Sequence, residues 1–188
     1  MDRCFMLPFN SEDLPNEYYD IVIIGSGIAG LYAAHKASRG GHKIALVTKK
    51  RIKDSNTGEA QGGIAAALEV NDSPELHYKD TLQAGAGLCD REAVSVLVNE
   101  GALRVRELIE LGVEFDRNKG SIDLSREGAH SHNRILHAHG DATGAEIQRT
   151  LANVVHVSGK VEIFVEHFVV DLLIKNNRCY GVLMCGPN

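Results

Sequence analysis

Three glycines give the first chemical signal in this chain. In Asp20-Ile21-Val22-Ile23-Ile24-Gly25-Ser26-Gly27-Ile28-Ala29-Gly30, an apolar run breaks into the spacing G-x-G-x-x-G and continues in residues that favour a helix. Each glycine answers a different need. Gly25 allows a tight turn, Gly27 has no Cβ to keep phosphates at a distance, and Gly30 lets the helix pack closely on the strand. The helix start then offers amide donors and a partial positive charge to an anion. Strand, glycines and helix in that order predict a cradle for a dinucleotide pyrophosphate.

The dinucleotide fingerprint usually places an acidic residue about 20 positions further on, where it holds ribose hydroxyls. Thr48-Lys49 stand there instead, which argues against a nicotinamide-dependent dehydrogenase. Gln61-Gly62-Gly63, followed by small alanines, would let backbone approach a flat, bulky ring. A long cofactor reaching from the first glycines to this second set suits FAD better than NAD; the alternative is that Gly62-Gly63 only make a turn. His130, His132, His137 and His139 include the His-x-His spacing of zinc sites, but no cysteine or carboxylate pattern completes a ligand set, so no metal is expected; packing against a cofactor, or contact with an anionic substrate, is the reading preferred for them. Glu127, in Arg126-Glu127-Gly128, has two readings: a surface carboxylate paired with Arg126 or Arg134, or a partner for a substrate ammonium.

The elements that must position these residues follow from pattern. The chain has 188 residues, 44% hydrophobic and 24% charged, with a formal net charge of -5, an ordinary composition for a globular domain. The basic run Lys49-Lys50-Arg51 is too short to suggest nucleic acid. There is neither an apolar run long enough to span a membrane nor a signal-peptide core. Cys4, Cys89, Cys179 and Cys185 form no C-x-x-C pair, which points to reduced, buried thiols in a cytoplasmic protein.

Residues 1–17 read as a loose leader, and 18–188 as the domain. Residues 20–24 read as a strand buried on both faces of a parallel sheet, 28–39 as a helix stopped at Gly40-Gly41, and 43–47 as a second strand, making a β-α-β unit with a right-handed crossover. A loop is expected over 49–63, a helix over 74–86 opened by Ser73-Pro74, and two helices over 90–99 and 101–111. Short strands at Val113–Asp116 and Ile122–Leu124 precede a helix over 142–157 and a strand at Val161–Val165. Residues 167–175 and 178–184 read as a β-hairpin turning at Asn176-Asn177. A complete doubly wound domain has more parallel strands than this, so a fragment of a larger enzyme is expected; a compact protein with a small sheet is the alternative.

Two runs, Ile23 to Leu31 and Ser55 to Ala66, resemble the succinate dehydrogenase/fumarate reductase flavoprotein family. Three more, at 80–90, 125–137 and 140–144, look like the branch of that family that oxidises L-aspartate. The similarity covers residues 20 to 184. It implies the N-terminal part of a Rossmann-like, α/β FAD-binding domain of the glutathione-reductase type, with the capping and C-terminal domains absent. The implied reaction oxidises L-aspartate to iminoaspartate with O2 or fumarate as acceptor, the first step of de novo NAD biosynthesis, with the product passing to quinolinate synthase. Two other readings are kept: a soluble fumarate reductase or succinate dehydrogenase flavoprotein, and a non-catalytic FAD-binding fragment.

Residue by residue, the resemblance assigns Ser26, Gly27, Ile28 and Ala29 to the pyrophosphate, and Lys49 to the adenosine end. Asn56, Thr57, Gly58, Glu59, Ala60, Gln61, Gly62 and Gly63 run along the isoalloxazine. Phe168 and Val169 meet the adenine through backbone, although Phe168 departs from the family pattern. Glu127 matches a residue that orients L-aspartate through its amino group. The respiratory members carry, at the position of Asn56, a His that bonds the flavin covalently. An amide cannot do so, and noncovalent FAD is expected. The residue that handles the proton belongs to the capping domain, and Arg134 is not assigned that part.

Overall fold

The computed structural model describes residues 14–187. Most of the expected leader, and Cys4 with it, lies outside the described residues. In chain order the elements are β1 (Ile21–Ile24), α1 (Ile28–Ala37), β2 (Ile44–Val47), α2 (Asn56–Glu59), β3 (Ile64–Ala65), α3 (Pro74–Ala84), α4 (Arg91–Glu110), β4 (Arg117–Asn118), β5 (Ser121–Ile122), β6 (Leu124–Ser125), β7 (Ile135–Leu136), α5 (Thr143–Ser158), β8 (Val161–Phe164), β9 (Phe168–Lys175) and β10 (Arg178–Cys185). They fall into two compact units. The first holds the described residues up to Asp54 and from Leu151 onward; the second is Ser55–Thr150.

The first unit is built on a parallel sheet in the order β1-β2-β8, in register from Ile21 against Ile44 and from Ile44 against Val161. The central strand β2 is apolar throughout and buried throughout. Leu31 and Ala34 of α1, with Leu151 and Val155 of α5, add to this core. β1 departs from the expectation of burial on both faces. Val22 and Ile24 remain 38% and 52% exposed. Successive side chains of a strand point to opposite faces; Ile23 faces α1, lying 3.5 Å from where a Cβ on Gly30 would sit, while Val22 and Ile24 point the other way from an edge strand.

The hairpin forms as expected. β9 and β10 pair antiparallel, and Asn176 and Asn177 both take positive φ, +50° and +59°, the twisted two-residue turn that hairpins favour. Cys179 and Cys185 on β10 are exposed and Cys89 is only half-buried, correcting the expectation of buried thiols: the two on β10 lie in its exposed ends, outside the partly covered stretch Gly181 to Met184.

In the second unit, α3 and α4 pack together beside a small antiparallel sheet of order β3-β7-β6 and the pair β4-β5. Ser73 caps α3 and Asp90 caps α4, each accepting first-turn amides. One helix of 20 residues replaces the two expected over 90–111. Gly101 costs about 1 kcal/mol within a helix, but Val94, Val98, Val105 and Leu108 form one continuous buried stripe that holds the helix through it. Val113–Asp116 is not a strand; Val113 and Phe115 are buried in extended chain, and pairing begins only at Arg117. The expected loop over 49–63 contains the single turn α2, capped by Ser55. The two-residue strands β3 and β7 were too short to read from a pattern.

Candidate functional site

In the first unit the chain leaves β1 through Gly25, whose φ of +100° only glycine adopts readily. Its amide donates to the Val47 carbonyl at 2.8 Å, fastening the turn to β2. A Cβ on Gly30 would collide with the Gly25 carbonyl oxygen, so the third glycine is required by helix-on-turn packing. Gly27 caps α1 in extended conformation, brings no side chain to the first-turn donors, and no acidic residue stands in that turn.

The buried Ser26 hydroxyl donates to the Ile52 carbonyl at 3.1 Å and meets Thr48 Oγ1 at 2.9 Å. With its one proton spent on Ile52, it accepts from Thr48. The Ser26 side chain therefore ties the turn to the end of β2.

Beyond β2 and β8 the pairing continues: the Thr48 amide donates to the Phe164 carbonyl at 2.9 Å, His167 to Thr48 at 3.0 Å, and Glu166 to Lys50 at 3.3 Å. Lys49 lies exposed in that stretch, with Phe168 and Val169 following at once. All three strands run parallel, so Gly25–Gly30, Lys49 and Phe168–Val169 gather at one carboxyl edge, where open α/β sheets bind ligands.

In the second unit, Asn56, Glu59, Ala60 and Gln61 of the segment running from α2 are exposed, and Thr57 and Gly58 half-buried. The paired glycines prove to serve the fold itself. Gly62 turns at φ +72°, and a Cβ on Gly63 would collide with the Ile135 side chain and lie 2.6 Å from the Leu136 carbonyl oxygen. Their presence is thus no independent sign of an approaching ring. Gly144, in the first turn of α5, donates to the Ala60 carbonyl at 3.2 Å, and a Cβ there would collide with Thr57; the helix start is seated on this segment's backbone.

Glu127 is half-exposed and pairs with neither Arg126 nor Arg134. Its Oε1 lies 3.2 Å from His137 Nε2. Arg134 is entirely buried. It donates to both oxygens of the equally buried Asp72 at 2.8 Å and to Asp80 at 2.7 Å. Burial alone would favour its neutral form; the two carboxylates outweigh that and keep the guanidinium charged. Burial likewise opposes the charge on Asp80, but the amide and hydroxyl of Ser131, at 2.8 and 2.7 Å, together with Arg134, lower its pKa to about 2.

His77 meets the His130 ring at a tilt of 54°, with ring centroids 5.6 Å apart, its pKa pushed below the ordinary value first by burial and then by Arg134. Neither Asp72 nor Asp80 carries a motif that announces this cluster. Among the described residues no group of three or more His, Cys, Asp or Glu is placed to hold a metal.

The sequence profile of the FAD binding domain family matches residues 20–187. The chain belongs to that family. Its cofactor is FAD. The turn at Gly25–Gly30 fits the diphosphate of such a cofactor: glycines stand at 25, 27 and 30 where the strand gives way to the helix, and no acidic residue stands in the first turn of the ten-residue helix α1. The chain is 50% identical over 167 residues to the L-aspartate oxidase of Streptomyces coelicolor, covering 88% of this chain and 29% of that protein. It is 46% identical over 176 residues to the chloroplastic L-aspartate oxidase of Oryza sativa subsp. japonica, covering 91% and 27%.

Among solved structures, a quinol-fumarate reductase with menaquinol molecules superposes with a TM-score of 0.82 at 31% identity, over 88% of this chain and 29% of that one. Mycobacterium smegmatis Sdh1 in complex with UQ1 gives 0.81 at 32%, over 88% and 30%. The fold is the FAD-binding domain of the succinate dehydrogenase/fumarate reductase family. The chain spans less than a third of the length of the curated relatives it matches.

Proposed function

We propose that this FAD-binding domain works in an enzyme that oxidises L-aspartate to iminoaspartate, with O2 or fumarate as acceptor, at the first step of de novo NAD biosynthesis. Residues 18–188 are then the N-terminal part of the FAD-binding domain, and the capping domain and remaining segments come from further chain. The likeness to L-aspartate oxidases supports this reading, and one observation of the site carries it: Glu127 presents an exposed carboxylate held by a histidine rather than neutralised by an arginine. Succinate and fumarate have no ammonium, so a carboxylate here favours an amino acid over a plain dicarboxylate.

FAD, when bound, supplies the two-electron chemistry. In this reading the backbone of Ser26, Gly27, Ile28 and Ala29 binds the pyrophosphate, Lys49 the adenosine end, and the backbone of Phe168 and Val169 the adenine. The segment from Asn56 to Gly63 serves the isoalloxazine, and because Asn56 offers no imidazole the cofactor stays noncovalent. Glu127 orients L-aspartate. The product is handed to quinolinate synthase, and the enzyme is cytoplasmic; no helix among the described residues is long and apolar enough to cross a membrane.

The test is a peroxide assay with L-aspartate on the full-length protein. We expect turnover, and we expect Glu127→Gln to raise KM for L-aspartate about tenfold, the scale of one charge-assisted hydrogen bond, while sparing fumarate reduction. Equal loss of both activities would remove Glu127 from this role. The same preparation, precipitated with acid, should leave its yellow colour in the supernatant.

A further inference from the structure

His137 stands in a different mechanical setting from the carboxylate it meets. Its backbone is fixed on both sides: Leu136 pairs with Ile64 in the β3-β7 ladder, and the His137 carbonyl accepts from the Asp116 amide at 2.8 Å. The ring lies against the glycine segment, with Nε2 3.0 Å from where a Cβ on Gly63 would sit. Glu127 belongs to an exposed loop, and its side chain is 54% exposed against 23% for His137. An anchored ring beside a carboxylate on an open loop sets where that carboxylate points.

The proton position follows from the partners. An ionised carboxylate only accepts, so Nε2 carries the hydrogen toward Glu127. In the neutral ring Nδ1 is then the acceptor, and it faces the Ser125 hydroxyl at 3.5 Å, the weaker contact of the two. We propose that His137 is a positioning residue: as the Nε2–H tautomer it holds Glu127 beside Gly63, in the orientation that receives the amino group of L-aspartate. The role rests on the function proposed above. Loss of His137 would leave the carboxylate free to turn into solvent, so ground-state capture of the ammonium weakens while the chemistry of a bound substrate does not change.

Two measurements on the full-length flavoprotein test this. In steady-state oxidation of L-aspartate, His137→Phe should raise KM about tenfold and leave kcat within about twofold, and His137→Gln, whose amide can donate from the place of Nε2, should restore KM to within about threefold of the parent. Flavin absorbance serves as the folding control in each variant. Equal damage by Phe and Gln, or a fall in kcat at unchanged KM, would overturn the proposal.

Independently of turnover, imidazole 15N NMR should show His137 as the Nε2–H tautomer, and Glu127→Ala should mix the tautomers. A parent protein that shows this tautomer but does not oxidise L-aspartate refutes the substrate assignment and supports the His137–Glu127 pairing. One that turns over L-aspartate with His137 in the Nδ1–H form refutes the pairing alone.

Discussion

The glycine turn between β1 and α1 and the charged cluster around Arg134 solve the same problem, fixing a loop next to a site, in opposite ways. The turn is held by what is missing: no Cβ at Gly30, no side chain at Gly27, and a positive φ at Gly25. The cluster is held by a fully buried guanidinium between Asp72 and Asp80, with Ser131 fastened to the second carboxylate. The first arrangement is local and can be read from eleven consecutive letters. The second joins residues far apart in the chain, and nothing in the sequence around any one of them points to the others.

The comparison breaks most readily at the arginine. Removing a charge from a buried pair leaves its partner uncompensated, so Arg134→Ala should cost about 4 kcal/mol in urea unfolding. A loss below about 1 kcal/mol would mean that Asp72 is rescued by water. Gly30→Ala forces a methyl group onto backbone that has nowhere to go; about 3 kcal/mol of stability and most of the bound FAD should be lost, measured by unfolding and by the ratio of flavin to protein absorbance. Retained flavin would show that helix and turn can separate at little cost.

Of these two regions, acid attacks the cluster. The carboxyl of Asp80 has its pKa depressed from 3.8 to about 2, so its contribution, about 2 kcal/mol, is fully present above the unfolded pKa and disappears as pH falls from about 4 through about 2. Asp80→Asn should make stability fall less steeply over that window, where Glu146, also lowered to about 2, keeps titrating, and leave the slope at neutral pH unchanged. The smallest effect belongs to a third loop: Asn177→Gly relieves a positive φ in the hairpin turn and should add about 0.5 kcal/mol, visible as a small rise in Tm.

The parts legible in the sequence share one property: they repeat or break on a short period. The G-x-G-x-x-G turn, the opening of α3 at Ser73-Pro74 and the Asn176-Asn177 turn all follow from spacing within a few residues. The helix α4 shows where that stops: two helices are expected over 90–99 and 101–111, and the buried stripe that joins them is set by neighbours in space. At Gly63 the packing of β7 against the glycine likewise comes from residues that no local window includes. The resemblance singles out Glu127, but the identity of its partner, His137, depends on where the β3-β7 ladder places residue 137.

The central strand of the parallel sheet acquires its second neighbour late. Ile44–Val47 is made early in synthesis, while Val161–Phe164, which completes its pairing, leaves the ribosome only after the whole second unit has been made. Until then a four-residue apolar, β-prone strand has an open side, and pairings between distant segments form slowly. Chains released before residue 161 should therefore collect in inclusion bodies, and holdase chaperones should bind the nascent protein in the interval before β8 emerges.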